Sequence, residues 1–217
     1  MVYQHLDCTT EERRIEICKK YKVHADDCIT LYGGRTVRSD ANNREIRDKY
    51  YQFSCICKET GEHYIITCGA GAARHLCSII KEQMPHAMNP FIDDTYTTTM
   101  PRGGRTRGDS RSEWNPLRRQ LYYAVQIFII RYQDDLTPGT KIFKLLQSIV
   151  DERYIHLEPQ LFQYQKFIDV VVGFSTNIPR IIRDLEKFGK VRKFDLNKLA
   201  VRLDELLPEC DNIFRDY

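Results

Sequence analysis

The run LYYAVQIFII at 121–130 limits the possible folds more than any other feature of this chain. Ahead of it, Asn115-Pro116 supplies a cap residue and then a proline at the first helical position, where a missing N–H is no loss. Leu117, Leu121, Ala124, Val125, Phe128 and Tyr132 recur at helical spacing, and Ile127, Ile129 and Ile130 fill the remaining sides. A helix that is apolar all round has to be surrounded. The run is ten residues long and bounded by Arg118, Arg119 and Arg131, well short of the roughly 20 apolar residues that cross a bilayer. Its surroundings are therefore expected to be protein, and no membrane association is expected.

The segments that follow supply the jacket. Helical spacing recurs at 140–152 (Ile142, Leu145, Leu146, Ile149), 159–174 (Leu161, Ile168, Val171, Val172, after Pro159), 178–188 (Ile178, Ile181, Ile182, Leu185) and 195–207 (Leu199, Leu203, Leu206, capped by Asp195). Short connections between such helices favour antiparallel neighbours.

The first part of the chain has a different rhythm. Thr9 with Glu12 three residues on forms a capping box and opens a helix to about Tyr21, with Ile15 and Cys18 on its apolar side. CITLYGGRTVR at 28–38 predicts two short strands around a Gly33-Gly34 turn. YYQFSCIC at 50–57 alternates as a strand with Tyr51, Phe53, Cys55 and Cys57 on one face. A Thr60-Gly61 turn leads into HYIIT, and the glycine-rich CGAGAA opens a helix with Leu76, Ile79 and Ile80 on its apolar side. The expected class is α+β: a cysteine-rich hairpin and helix module at 1–88, zinc-stapled if its cysteines bind metal, a basic Gly/Arg loop at 89–115, and a mainly helical bundle at 116–217.

Seven of the eight cysteines lie in the first 77 residues. The opening MVYQHLDCTTEERR lacks the basic-then-apolar layout of a signal peptide, which predicts a cytoplasmic protein with reduced thiols. Reduced cysteines at this density read either as packing residues or as ligands. Zinc takes four N or S ligands, usually in two close pairs. Cys55 and Cys57 share a strand face and form one candidate pair; Cys68 with His75 or Cys77 forms the other, loosely similar to treble-clef zinc domains but without their knuckle. The competing reading is that these cysteines pack as small hydrophobes.

Two further stretches carry potential chemistry. At 69–75, Gly69, Gly71 and Arg74 precede or begin a helix whose free N–H groups suit a phosphate. The GxGxxG dinucleotide pattern fails there, because Arg74 takes its last position. At 101–120, six arginines (Arg102, Arg105, Arg107, Arg111, Arg118, Arg119) stand against Asp109 and Glu113, a local excess of +4, flanked by Tyr96 and Trp114 as candidate base-stacking rings. Residues 179–202 hold eight cations against three acids, an excess of +5, and the last fifteen residues reverse the sign. If the two basic segments converge, they make an electropositive face.

Catalytic constellations are thin. Asp26-Asp27, Asp93-Asp94 and Asp134-Asp135 are adjacent pairs whose side chains diverge on a regular helix or strand, so they are expected as caps and loop residues. No nucleophile can be matched to a histidine by spacing, and an enzyme is not the favoured reading. The expected function is a nucleic-acid-associated accessory or subunit protein that contacts the phosphate backbone through its arginines. The alternatives are a protein adaptor built on the helical part, and an enzyme binding a phosphate-bearing substrate at the 69–75 turn.

Overall fold

The computed structural model describes residues 4–85, 87–92, 114–136, 140–151, 153–208 and 213–214. It is an α+β chain of two compact units: Met1–Met88 with Tyr132–Phe143, and Asn89–Arg131 with Lys144–Tyr217. Among the described residues, no helix is long and apolar enough to cross a membrane.

The N-terminal unit is a four-stranded sheet with two helices. In chain order its elements are β1 (Gln4–His5), α1 (Glu11–Lys20), β2 (Tyr21–Thr30), β3 (Val37–Arg38), β4 (Glu45–Ile46), β5 (Lys49–Cys57), β6 (His63–Cys68) and α2 (Ala70–Ile80). The strand order is β1-β6-β5-β2, with β1 parallel to β6 and the other pairs antiparallel. Helix α1 starts one residue later than the capping box predicts. Asp7 Oδ1 accepts from the Thr9 N–H, leaving Thr10 as the cap whose hydroxyl accepts from the Arg13 N–H at 3.2 Å. Ile17 is buried and Ile15 is 39% exposed, so the inward side of α1 runs through Ile17 rather than Ile15. Tyr21 ends the helix and opens β2 with no intervening loop.

The Gly33-Gly34 turn has both residues at positive φ, as its sequence requires, but it does not join a hairpin. β2 pairs with β5, eighteen residues beyond its end, and β3 pairs with β4 as a separate two-stranded ribbon. A turn signal fixes local geometry; the partner is chosen by the longer apolar face. Between Ala25 and Asp27 the β2–β5 register slips. This bulge lets Asp26 and Asp27, expected in loops, both lie buried within a strand. The Ser54 hydroxyl donates to Asp26 at 2.9 Å and the Cys28 N–H to Asp27 at 2.8 Å.

The core of this unit lies between the sheet and its helices: Ile17, Val23, Phe53, Ile66, Ala73 and Leu76, together with six cysteines. Tyr51, Phe53, Cys55 and Cys57 share a face as the alternation predicts, and that face is the one covered by Ile17, Leu76 and Cys77.

The C-terminal unit is helical. Most of α3 (Pro116–Tyr132) belongs to it, as do most of α4 (Lys141–Val150) and all of α5 (Leu161–Gly173), α6 (Ile178–Glu186) and α7 (Asn197–Leu206). Asn115 caps α3, its Oδ1 accepting from the N–H groups of Leu117 and Arg118. Every residue from Ala124 to Ile130 is buried, so this part of the apolar run is surrounded, while Tyr123 ahead of it is partly exposed. Leu145, Ile149, Tyr164, Phe167, Ile181 and Leu199 are among the buried residues that other helices contribute. Buried Gln120 of α3 reaches the start of α7, where its Oε1 accepts from the Leu199 N–H at 2.8 Å. A side chain thus satisfies one of that helix's first amides.

Candidate functional site

The expected zinc staple is not supported. Among the described residues, no group of three or more His, Cys, Asp or Glu side chains is placed to hold a metal ion. Cys55, Cys57, Cys68 and Cys77 are all buried in the apolar core, and all are free. Burial pushes the thiols of Cys55 and Cys68 far up, and that of Cys77 up to about 11, in keeping with their place among apolar side chains. Cys57 is the exception: a bond with Thr60 at the hairpin turn draws its pKa down. His75 faces a cation rather than a metal, its Nδ1 lying 3.2 Å from Arg14 Nη1.

The 69–75 stretch is an ordinary helix start. Gly69 is the N-cap of α2, with no side chain completing the cap. A Cβ added at Gly69 or Gly71 would meet nothing within 4 Å, so neither glycine is needed for a close approach. Arg74 is exposed one turn on.

Of the six arginines at 101–120, Arg102, Arg105, Arg107 and Arg111 lie outside the described residues. Arg119 is partly exposed on α3. Arg118 requires a correction: it is 2% exposed and faces the interior, where it cannot reach a phosphate. Its Nε donates to the Leu157 carbonyl at 2.8 Å, Nη1 to Ser148 and Ile149, and Nη2 to Glu158. Those carbonyls belong to the C-terminal turn of α4 and to the chain ahead of α5, so the guanidinium caps one and ties down the other.

The second basic segment is the one the fold displays. Residues 89–92 run alongside 190–192 as a short antiparallel bridge centred on Phe91 and Val191. The Ile92 N–H donates to the Lys190 carbonyl and the Arg192 N–H to the Pro90 carbonyl, each at 2.8 Å. Arg192 Nε adds a bond to the Phe91 carbonyl at 3.1 Å. Gly189 makes room for the anchor, since a Cβ there would stand 3.1 Å from the Phe91 ring. Ile92 is thereby held against Lys190.

A row of aromatic contacts connects Trp114 and α3 to Phe194. Trp114 meets Tyr122 edge-on at 5.5 Å between centroids, Tyr122 meets Tyr123 at 5.7 Å, and Tyr123 meets Phe194 at 5.8 Å. Tyr122 is buried, while Trp114, Tyr123 and Phe194 are partly exposed. Lys190, Arg192 and Lys193 are exposed. Among the described residues no acid pairs with Lys190 or Lys193. Other cations of the segment are engaged: Arg131 and Lys187 hold Asp184, and Arg202 bridges Glu158 and Glu205.

Comparison with known proteins adds no name. No family model matches the chain, and no curated protein or solved structure is similar to it. The reading of the site therefore rests on its own geometry.

The sequence signalled the charge of 190–193 but not the aromatic row. Tyr123 was hidden in an apolar run and Phe194 in a basic one. A possible sign was the extended pattern KVRKF directly after Gly189, which has no helical period and reads as a short strand awaiting a partner.

Proposed function

We propose that this protein is a nucleic-acid-associated accessory or subunit protein that holds the phosphate backbone through its C-terminal unit. The observation that supports this reading is the Phe91–Val191 bridge, a stretch on which Lys190, Arg192 and Lys193 are exposed. Arg102, Arg105, Arg107, Arg111 and Arg119 remain the proposed phosphate contacts from the first segment, with Lys190, Arg192 and Lys193 from the second. Arg118 is withdrawn from that set.

The test is a salt series. Each phosphate neutralised contributes a slope of about −0.9 on duplex DNA, or about −0.7 on a single strand, to the logarithm of affinity against the logarithm of salt. Lys190→Gln with Lys193→Gln should weaken binding of a labelled oligonucleotide and flatten the slope by about 1.4 to 1.8. A slope unchanged in the double variant would sink the assignment.

A second reading, a protein adaptor, has one observation in its favour. Leu117, Asn197, Lys198, Val201, Arg202 and Glu205 line a cavity of about 330 Å³ open to solvent, with Val201 57% exposed at its side. Val201→Asp should then release a co-purifying protein while leaving oligonucleotide affinity intact. The geometry adds nothing to the reading of a phosphate-bearing substrate at 69–75.

A further inference from the structure

We infer that this protein pairs with a second copy of itself through α7, the two helices lying antiparallel with a two-fold axis between Val201 and Arg202. Self-pairing goes beyond nucleic-acid binding and does not depend on it. The surface concerned is the cavity of about 330 Å³ that Leu117 of α3 lines together with Asn197, Lys198, Val201, Arg202 and Glu205 of α7. Lys198, Val201, Arg202 and Glu205 follow the three- and four-residue steps of one helical face. Leu199 and Leu203 of the same helix are buried, whereas Val201 stands 57% exposed in its middle.

The order of the charges on this face selects the occupant. A helix favours acids at its N-terminus and cations at its C-terminus, because unpaired amides gather at one end and unpaired carbonyls at the other. α7 has no acid in its first turn and no base in its last. Lys198 stands near its start and Glu205 near its end, so each end carries the charge that its own dipole opposes. Among the described residues Lys198 has no ion-pair partner, and Asp195 ahead of the helix accepts from the Asn197 N–H at 3.2 Å. Glu205 meets Arg202 at 3.0 Å, but that guanidinium is shared with Glu158 at 2.7 Å. A copy of α7 running the same way would set lysine beside lysine and glutamate beside glutamate. A copy running the other way sets Lys198 against Glu205 and Glu205 against Lys198, since the two stand equally far from the axis on either side of it. The dipoles then oppose, and one surface satisfies itself, as an isologous contact requires. Val201, next to the axis, is covered by the partner's α7, and the cavity beside Leu117 receives the partner's aliphatic side chain.

The experiment is sedimentation equilibrium of the full-length protein from about 1 to 100 µM, a range in which a pair of modest affinity forms and separates. The expected result is a reversible dimer. Val201→Asp, at an exposed position, should raise its Kd at least about tenfold by burying two like charges at the axis. Lys198→Glu and Glu205→Lys should each weaken self-association about tenfold, because like charges then meet at both ends. Mixed in equal amounts, these two single variants should pair with each other about as tightly as the unaltered chain pairs with itself, a recovery that misfolding of either would not give. A monomer across the whole range would overturn the inference, and so would a dimer that Val201→Asp leaves intact. A dimer indifferent to both charge reversals, with no recovery on mixing, would overturn the antiparallel pairing. A monomer that loses a co-purifying protein on Val201→Asp would overturn it in favour of the adaptor reading. Oligonucleotide binding is read at Lys190 and Lys193, so either proposal can fail while the other stands.

Discussion

The two units treat their most chemically active side chains in opposite ways. In the N-terminal unit the cysteines turn inward: Cys8, Cys28, Cys55, Cys57, Cys68 and Cys77 all join one apolar cluster. In the C-terminal unit the cations divide, Arg118 going to the interior while Lys190, Arg192 and Lys193 face outward. A thiol can be buried cheaply because its neutral form is weakly polar, and for all of these but Cys57 burial raises the pKa in favour of that form. A guanidinium has no neutral form to retreat to, so it is buried only where acceptors already wait for each of its edges. The same concentration of unusual residues therefore signals packing in one unit and a built polar clamp beside a charged surface in the other.

The largest effect expected from breaking this contrast is at Arg118. Arg118→Met keeps the bulk but leaves four carbonyls without their donor, and should destabilise the C-terminal unit by about 3 kcal/mol or more in urea titration. Arg118→Lys should recover little, since one ammonium cannot span the same carbonyls. A loss under about 1 kcal/mol would show that water replaces the clamp.

Next comes the cysteine core. Cys55→Ser places a strongly polar hydroxyl where a thiol packed, and should cost about 2 kcal/mol, more than Cys55→Ala despite the better match in shape. A ligand role predicts a different result, because both substitutions would then remove a metal contact equally. The six buried thiols should resist a thiol-specific reagent in the native protein and react on unfolding, whereas partly exposed Cys18 should react before them. Chelator treatment should leave the melting temperature where it was.

A smaller effect is expected at Gly189. Gly189→Val pushes against the Phe91 ring, with a cost of about 1 kcal/mol. It should reduce protection of the Ile92 amide in hydrogen exchange while leaving the cysteine core untouched.

The smallest effect is a pH dependence confined to the N-terminal unit. His24 Nδ1 lies 2.7 Å from Glu82 Oε1, and the Ala25 N–H donates to Glu82 Oε2 at 2.9 Å. The bond to Glu82 raises His24 above its ordinary 6.5, against the effect of burial. Burial pushes Glu82 up, but the bonds from His24 and Ala25 outweigh it and leave the carboxyl below its ordinary 4.5. His24 thus contributes fully below pH 6.5 and loses its contribution as pH rises through its folded value. Glu82 contributes above pH 4.5 and loses its contribution as pH falls through its own. The pair is strongest between these limits. With both side chains partly in water, Glu82→Gln should cost no more than about 1 kcal/mol at pH 5.5 and less at pH 8, read from urea midpoints.

Much of this architecture was legible because it follows from period alone. The alternation at 50–57, the all-round apolarity at 121–130 and the cap at Asn115 each state a local fact that the fold keeps. What was not legible depends on partners far along the chain. The Gly33-Gly34 turn was read correctly as a turn and wrongly as a hairpin, because nothing local reveals that β2 bonds to a strand beginning at Lys49. Asp26 and Asp27 were read as cap or loop residues because a bulge suspends the two-residue period on which the reading of adjacent acids relied. Arg118 was counted as surface charge because composition does not distinguish a cation facing water from one facing carbonyls. The charge of 179–202 was legible, whereas the aromatic row was scattered over Trp114, Tyr123 and Phe194.

The division into units has a consequence for how the protein is made. Residues 132–143 belong with the first 88, yet the chain between them, Asn89–Arg131, belongs to the other unit. A ribosome that has released the whole sheet has still not released everything its unit contains, and the missing piece arrives only after the start of the second unit has emerged. Neither unit can then be obtained intact by a single cut, and a nascent chain halted near residue 120 should hold a sheet that is formed but still open to attack by protease.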